Sequence, residues 1–234
     1  MIEFPRPLIE GRLIQRMKRF LADVELDDGK VVRAHCPNTG SMKTCGAPGD
    51  TVLLLHDPSP KRKLEYTWEL TQTKAGYVGV NTARPNQVTA RAVELGQITE
   101  LAGYDAVRKE VAYGKNSRID LLLTDAGGRR CYVEVKNTTL LIGDEVRFPD
   151  AVTSRGLKHL HELQEMVREG HRAVMFYFVN RPEGSFFAPA AEIDPEYAEA
   201  LRSVAASGVE ILAYRAIHTP ERIALGSRVE VRLS

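Results

Sequence analysis

From Glu10 to Thr82 the chain carries almost no helical periodicity, which commits its first third to β-structure. Short strand-like runs cover residues 12–18, 21–26, 31–36, 51–56, 66–73 and 77–80. They are separated by turn-forming stretches such as Asp27-Asp28-Gly29-Lys30, the punctuation expected between strands. Five or six strands of this kind suit a small closed or partly open barrel, of either OB-fold or SH3-like type.

Beyond Thr82 the period changes. Asn86 is placed to cap a helix in which Val88, Ala92, Val93 and Leu95 share a face and Gly96 ends the repeat. Strands are then expected over 106–113, 118–124 and 130–138, and a helix over 154–169 on the recurrence of Leu157, Leu160, Leu163 and Val167. A buried strand over 173–179, a helix over 195–206 and strands over 209–214 and 228–233 follow. The order α-β-β-β-α-β-α-β-β describes an α+β or α/β domain with helices on both sides of a mixed sheet. The chain therefore divides into a barrel, 1–82, and a mixed-sheet domain, 83–234.

Composition narrows the function classes. Hydrophobic content of 43% and charged content of 27% are ordinary for a folded globular chain. A net charge of +1 is too small for a long-range field, so any nucleic-acid contact must come from a local patch. Apolar runs such as 51–55 are too short to span a bilayer, and the Met1-Ile-Glu-Phe-Pro-Arg6 start lacks a signal peptide's apolar core. A cytoplasmic protein without membrane contact is expected. Cys36, Cys45 and Cys131 form no CxxC pair, and the histidines hold no ligand spacing with them, so neither a disulfide framework nor a structural zinc site is supported.

The chemistry gathers at one hairpin. In Tyr132-Val-Glu-Val-Lys136, strict alternation puts Tyr132, Glu134 and Lys136 on one face of a strand. Asp120 begins the preceding run, and Asp125-Ala-Gly-Gly-Arg129 joins the two. A three-residue loop with glycine in the left-handed position sets Asp120 opposite Glu134, whereas a two-residue loop points them to opposite faces. Facing carboxylates repel, and persist where a proton, a cationic side chain or a metal ion intervenes. Mg²⁺ or Mn²⁺ prefers such oxygen ligands and completes its shell with water and substrate phosphate. Asp120 and Glu134 are thus the candidate metal ligands. With Lys136 as charge neutraliser, the three outline hydrolysis of a phosphodiester. An acidic-x-Lys triplet alone carries little weight, since Asp28-Gly29-Lys30 matches it in a turn. Asp120 and the hairpin register supply the specificity.

Asp120 followed by Glu134-Val135-Lys136 on the next strand, within α-β-β-β-α-β, resembles the restriction-endonuclease-like PD-(D/E)XK superfamily over about residues 84–218. Ile119 stands where that motif names proline. The whole chain is similar to the sugar fermentation stimulation protein family, through His35-Cys-Pro-Asn-Thr-Gly-Ser-Met42, Asn116-Ser-Arg-Ile-Asp120, Tyr132-Val-Glu-Val-Lys-Asn137 and Phe148-Pro-Asp-Ala-Val-Thr-Ser-Arg-Gly-Leu-Lys-His159. The resemblance implies an N-terminal OB-fold, a nuclease-like C-terminal domain, DNA binding and a regulatory link to sugar metabolism in bacteria. The superfamily often adds an acidic residue from the first helix, for which Glu94 is the nearest candidate.

Basic residues suggest where a strand of nucleic acid lies. Arg12, Arg16, Lys18 and Arg19 punctuate the first strand and its turn, and Lys61, Arg62 and Lys63 precede Tyr66 and Trp68. Trp68 suits either base stacking or the barrel core. The stretch from Pro37 to Thr44 suits either a barrel turn or a cradle of backbone amides for an anion. Arg155 and Lys158 share a face of the helix that Thr153 or Ser154 caps, and its N-terminus favours phosphate. His159 and His161, two apart, fall on different sides of that helix and are expected at the surface. Two readings compete: a Mg²⁺-dependent DNA phosphodiesterase, and a DNA-binding regulator that keeps the nuclease fold without cutting. A third is an RNA-binding barrel beside a structural α/β domain.

Overall fold

A computed structural model of the protein describes residues 1–114 and 117–233; Asn116, from the second of the strings above, lies outside them. In chain order the barrel region holds β1 (Ile2–Glu3), β2 (Leu8–Met17), β3 (Leu21–Leu26), β4 (Val31–His35), β5 (Thr51–His56), β6 (Tyr66–Thr73) and β7 (Gly76–Gly79). There follow α1 (Arg84–Glu94), a 3-10 turn (Thr99–Leu101), β8 (Ala106–Tyr113), β9 (Ser117–Thr124), β10 (Arg130–Thr138), β11 (Leu140–Ile142) and β12 (Glu145–Phe148). The chain continues through α2 (Ser154–Arg168), β13 (Arg172–Val179), β14 (Phe186–Pro189), α3 (Pro195–Ala206), β15 (Glu210–His218), β16 (Arg222–Arg228) and β17 (Glu230–Val231). Among the described residues, no helix is long and apolar enough to cross a membrane.

Strands β2 to β6 pair in the order β4-β3-β2-β5-β6, and a parallel contact between β4 and β6, Ala34 with Tyr66 and His35 with Thr67, closes them. This is the OB-fold topology, so the SH3-like alternative falls away. Alternation along β2 turns Leu13 inward, where it meets Val24, Val32, Val52, Leu54 and Trp68. The β3–β4 turn closes because Gly29 takes φ +81 while Asp28 Oδ1 accepts from Lys30 N at 2.9 Å.

The second unit is a seven-stranded mixed sheet, β1-β16-β15-β13-β10-β9-β8. Helix α1 packs on one face through Val88, Ala90 and Ala92, and the other face receives Leu160 and Leu163 of α2 with Tyr197 and Leu201 of α3. Strand β13 lies between parallel partners β10 and β15 and is buried on both faces, which explains its unbroken apolar run.

Three expectations need correction. The first strand belongs to the larger sheet, because Ile2 and Glu3 pair with Ile223 and Arg222, so residues 1–82 are not all barrel. A second, four-stranded sheet, β11-β12-β14-β17, was invisible to pattern reasoning, since strands of two to four residues are too short to show a period. Near the end, the strand expected over 228–233 is replaced by β16 and the two-residue β17.

The two units are bonded together. Asp150 Oδ2, just after β12, accepts from Ser41 N at 2.7 Å, Ser41 Oγ at 3.2 Å and Met42 N at 3.3 Å. Asn180 pairs with Gly79 through both backbone and side chain, and Arg181, 2% exposed, reaches Thr44 Oγ1 and the carbonyl of Thr139.

Candidate active site

Strands β9 and β10 pair from Thr124↔Arg130 to Leu121↔Val133 around a three-residue loop in which Gly128 takes φ +83. That is the register that sets Asp120 across from Glu134. The ladder stops at Leu121↔Val133, and beyond it Asp120 Oδ2 itself accepts the N–H of Val135 at 2.7 Å. Its other oxygen accepts from Asn86 Nδ2 at 2.7 Å. Asn86 is therefore not the cap of α1. The cap position is Ala83, without a side-chain bond, and Asn86 lies inside the helix, reaching the acidic strand.

Glu134 is 2% exposed. Its Oε1 accepts from Lys136 Nζ at 2.7 Å and is in close contact with His159 Nδ1. Its Oε2 is buried with no partner among the described residues. Sequence reasoning missed His159, which is buried at 4% exposure rather than on the surface, while His161 is exposed as expected. Thr153 caps α2 by accepting from Gly156 N at 3.0 Å, and the next turn carries His159 onto the face that packs over β10. Arg155 Nε lies 3.4 Å from His159 Nε2. Lys136 Nζ also lies 3.1 Å from His159 Nδ1, so the ring sits between Glu134, Lys136 and Arg155.

The two carboxyls respond in opposite directions. Burial, then the charge of Glu134, pushes Asp120 up to about 6, against the Val135 N–H and Lys136. Burial also acts to raise Glu134, but the His159 hydrogen bond and the Lys136 charge outweigh it and hold this carboxyl below its ordinary value.

Other oxygens crowd the same region. Glu162 Oε1 accepts from Ser117 Oγ at 2.8 Å and lies 3.5 Å from Lys158 Nζ, while its Oε2 and the Tyr113 hydroxyl are buried without hydrogen-bond partners among the described residues. Burial, then the charges of Glu134, Glu162 and Asp120, raises the Tyr113 phenol. Two buried carboxylate oxygens left without partners among the described residues, Glu134 Oε2 and Glu162 Oε2, would each be satisfied by a cation or a further donor. Among the described residues, no group of three or more His, Cys, Asp or Glu side chains stands ready to hold one. Beside the cluster opens a cleft of about 530 Å³ lined by Glu110, Ser117, Arg118, Arg155, Lys158 and His159.

The remaining candidates scatter. Glu94 is exposed and pairs with Arg91 at 3.2 Å, away from the carboxylates' hydrogen-bond network. Trp68 is fully buried and donates to Leu70 O at 3.0 Å, so it stacks on no base. Arg16 is not available to phosphate either, because its guanidinium donates to the carbonyls of Arg19, Asn38, Gly40 and Ser41. Arg62 is half-buried between Asp57 and Thr67. Arg12, which donates to Gly49 O, and Lys18, Arg19, Lys61 and Lys63 are exposed, as are Arg155 and Lys158 at the cleft. The backbone amides of the loop from Pro37 to Thr44 do receive an anion, and it is the protein's own Asp150.

Family models match both units: residues 14–80 match an "SfsA N-terminal OB domain" and residues 83–222 a "Sugar fermentation stimulation protein RE domain". A sugar fermentation stimulation protein homolog of Geotalea uraniireducens is 54% identical over 232 residues, covering 99% of this chain and 100% of the relative. One from Geobacter sulfurreducens is 55% identical over 227 residues, covering 97% of each. The solved structure of Pyrococcus furiosus SfsA in complex with Ca²⁺ superposes with a TM-score of 0.89 at 26% identity, covering 99% of this chain and 98% of that one.

Proposed function

Because the chain belongs to the sugar fermentation stimulation protein family, we propose that it is a cytoplasmic DNA-binding protein with a divalent-cation-dependent phosphodiesterase site, acting in the regulation of sugar metabolism. The observation that carries this reading is half-buried Asp120 facing buried Glu134, whose Oε2 has no partner among the described residues, beside Lys136 and a cleft edged by basic side chains. The Ca²⁺ in the P. furiosus structure is a hard, oxygen-seeking ion of the same kind.

Asp120 and Glu134 would hold Mg²⁺ or Mn²⁺, which supplies Lewis-acid stabilisation of charge on a phosphoryl oxygen. Lys136, 13% exposed in its side chain, directs a fixed positive charge to the mouth of the site, where charge develops as the phosphodiester is attacked. His159 helps to hold Glu134 ionised and oriented through the contact at its Nδ1. Arg118, Arg155 and Lys158 bind flanking phosphates along the cleft, and exposed Lys18, Arg19, Lys61 and Lys63 extend the track over the barrel.

A second reading, a regulator that binds DNA without cutting, is favoured by one observation. Lys136 and His159 already satisfy Glu134 Oε1, and no three-ligand cation set is formed among the described residues. Incubating the purified protein with single-stranded, duplex and branched DNA, with and without Mg²⁺ or Mn²⁺, decides between them. Cation-dependent products that vanish in Glu134→Gln establish the phosphodiesterase. Intact DNA binding with no product from any substrate leaves the regulator.

A further inference from the structure

Strand β8 contains a residue in a conformation its sequence does not call for. Glu110 takes φ +53 in the strand interior, a left-handed conformation that glycine or asparagine adopts far more readily. Its neighbours pair normally, Lys109 with Leu121 and Val111 with Ile119, so Glu110 is the residue that faces Asp120, and the ladder skips that one pair. Both strands turn over at this point. Val107 and Leu121 pack into the core on the α1 side, whereas Val111 and Ile119 pack into the core on the α2 side. A strand with unbroken alternation would keep Val107 and Val111 on one face.

The left-handed turn is not explained by a contact of its carboxylate. Glu110 is exposed and, among the described residues, makes no hydrogen bond or ion pair through that group, while Arg118 Nη1 donates to its backbone carbonyl at 2.8 Å. Glu110 lines the cleft that also holds Arg155 and His159, and its negative charge is felt at Asp120. A carboxylate at a strained position across from Asp120 adds a backbone cost to an electrostatic one, and strain of this kind gathers at functional sites. A bound cation would offset the repulsion. The independent sign of a ligand is Glu134 Oε2, on a side chain 3% exposed, which has no donor among the described residues.

We propose that Glu110 supplies a third carboxylate to the divalent-cation site of Asp120 and Glu134, reaching the ion from the cleft directly or through one water. This rests on the cation site proposed above. The test is calorimetric titration with Mn²⁺, without nucleic acid, of the wild type, Glu110→Gln, Glu110→Gly, Glu134→Gln and, as a control for general loss of negative charge, Glu94→Gln.

Glu110→Gln is expected to bind Mn²⁺ roughly tenfold more weakly than wild type, the scale of losing one supporting group at a metal site, with Glu94→Gln unchanged. Glu110→Gly should lose the same affinity while its thermal midpoint rises, because glycine accepts the positive φ. Wild-type affinity in Glu110→Gln, with Glu134→Gln impaired, would overturn the role of Glu110 and leave the two-carboxylate site standing. Equal weakening in Glu110→Gln and Glu94→Gln would reduce the effect to overall charge and overturn it too. Absence of Mn²⁺ binding in the wild type removes the cation site and this inference together. A Glu110→Gly protein that loses midpoint and affinity together would make Glu110 a structural residue.

Discussion

Asp120 and Glu134 share one buried cluster yet are driven apart by their donors. Glu134 has a lysine and a histidine, while Asp120 is held by a neutral amide and a backbone N–H and stands in the field of Glu134. A carboxyl raised in the folded state favours folding most below its ordinary pKa, and that contribution is lost as pH rises through the folded value. For Asp120 the window runs from 3.8 to about 6, and the full loss is about 3 kcal/mol in the absence of cation. Glu134 works the other way, stabilising above its ordinary pKa and losing that contribution as pH falls. In chelator, Asp120→Asn should therefore gain on the wild type between pH 4 and 6, whatever constant offset the amide brings, and Mn²⁺ should stabilise only the wild type. Urea titrations at several pH values measure this, and a parallel pH dependence in the two proteins would contradict the assignment. That Asp120, Glu134 and Lys136 come together was legible in the sequence because period-two alternation and a loop glycine fix a hairpin's register. Asn86 and His159 were not, because a helix declares its buried stripe but not which polar residue at the edge of that stripe meets a distant strand. Trp68 shows the same limit: its stacking and core readings were even until burial decided. Trp68→Ala should cost about 3–5 kcal/mol in denaturant stability, with the DNA affinity of the folded fraction unchanged; a specific affinity loss at full folding would return Trp68 to the binding surface.

At the scale of elements, the β2–β3 hairpin is the most informative. Met17 pairs with Leu21, and the loop between them puts Lys18 at φ +49 and Arg19 at φ +66, with Phe20 at 45% exposure. Positive φ is adopted most readily by glycine and asparagine, so two basic residues there carry strain, and Arg16 braces the tip through the carbonyl of Arg19. Replacing Lys18 by Asn and Arg19 by Gly should raise stability by about 1 kcal/mol or more and lower DNA affinity, with the slope of log affinity against log salt falling by roughly one to two. Greater stability with an unchanged salt slope would remove this tip from the proposed track. Most barrel strands were readable to within a residue because clear turns bound them, but β2 begins at Leu8, four residues before the expected start at Arg12. The β11-β12-β14-β17 sheet was not, because its partners come from distant parts of the chain and none is long enough to show a pattern. The strand pairing of Ile2 and Glu3 likewise depends on a partner some 220 residues away, which local pattern cannot reveal.

For the molecule as a whole, what holds the two units in one fixed relation is Asp150, and the proposed binding of one nucleic acid across both would depend on it. Its carboxylate fills the amide cradle of the barrel loop at Ser41 and Met42, and a Cβ at Gly40 would lie 2.4 Å from Asp150 Oδ2, so the loop backbone fits closely around it. Arg16 braces the same loop through the carbonyls of Asn38, Gly40 and Ser41. Four residues beyond Asp150, α2 begins, and it carries Arg155 and His159 to the cleft and to Glu134. Removing the carboxylate strands two amides at the interface at a cost of about 2–3 kcal/mol, which for a chain of this size lowers the thermal midpoint by roughly 5–10 °C. Two weak nucleic-acid surfaces held in fixed relation also bind more tightly than the same surfaces on a loose tether. Asp150→Ala should therefore weaken DNA binding severalfold although Asp150 faces the protein's own loop, and Asp150→Asn, which keeps an acceptor, should fall between it and the wild type. Scanning calorimetry and DNA titration of the same preparations test both effects. Full DNA affinity in an Asp150→Ala protein with a lowered midpoint would mean that the two units bind independently and that the interface serves stability alone.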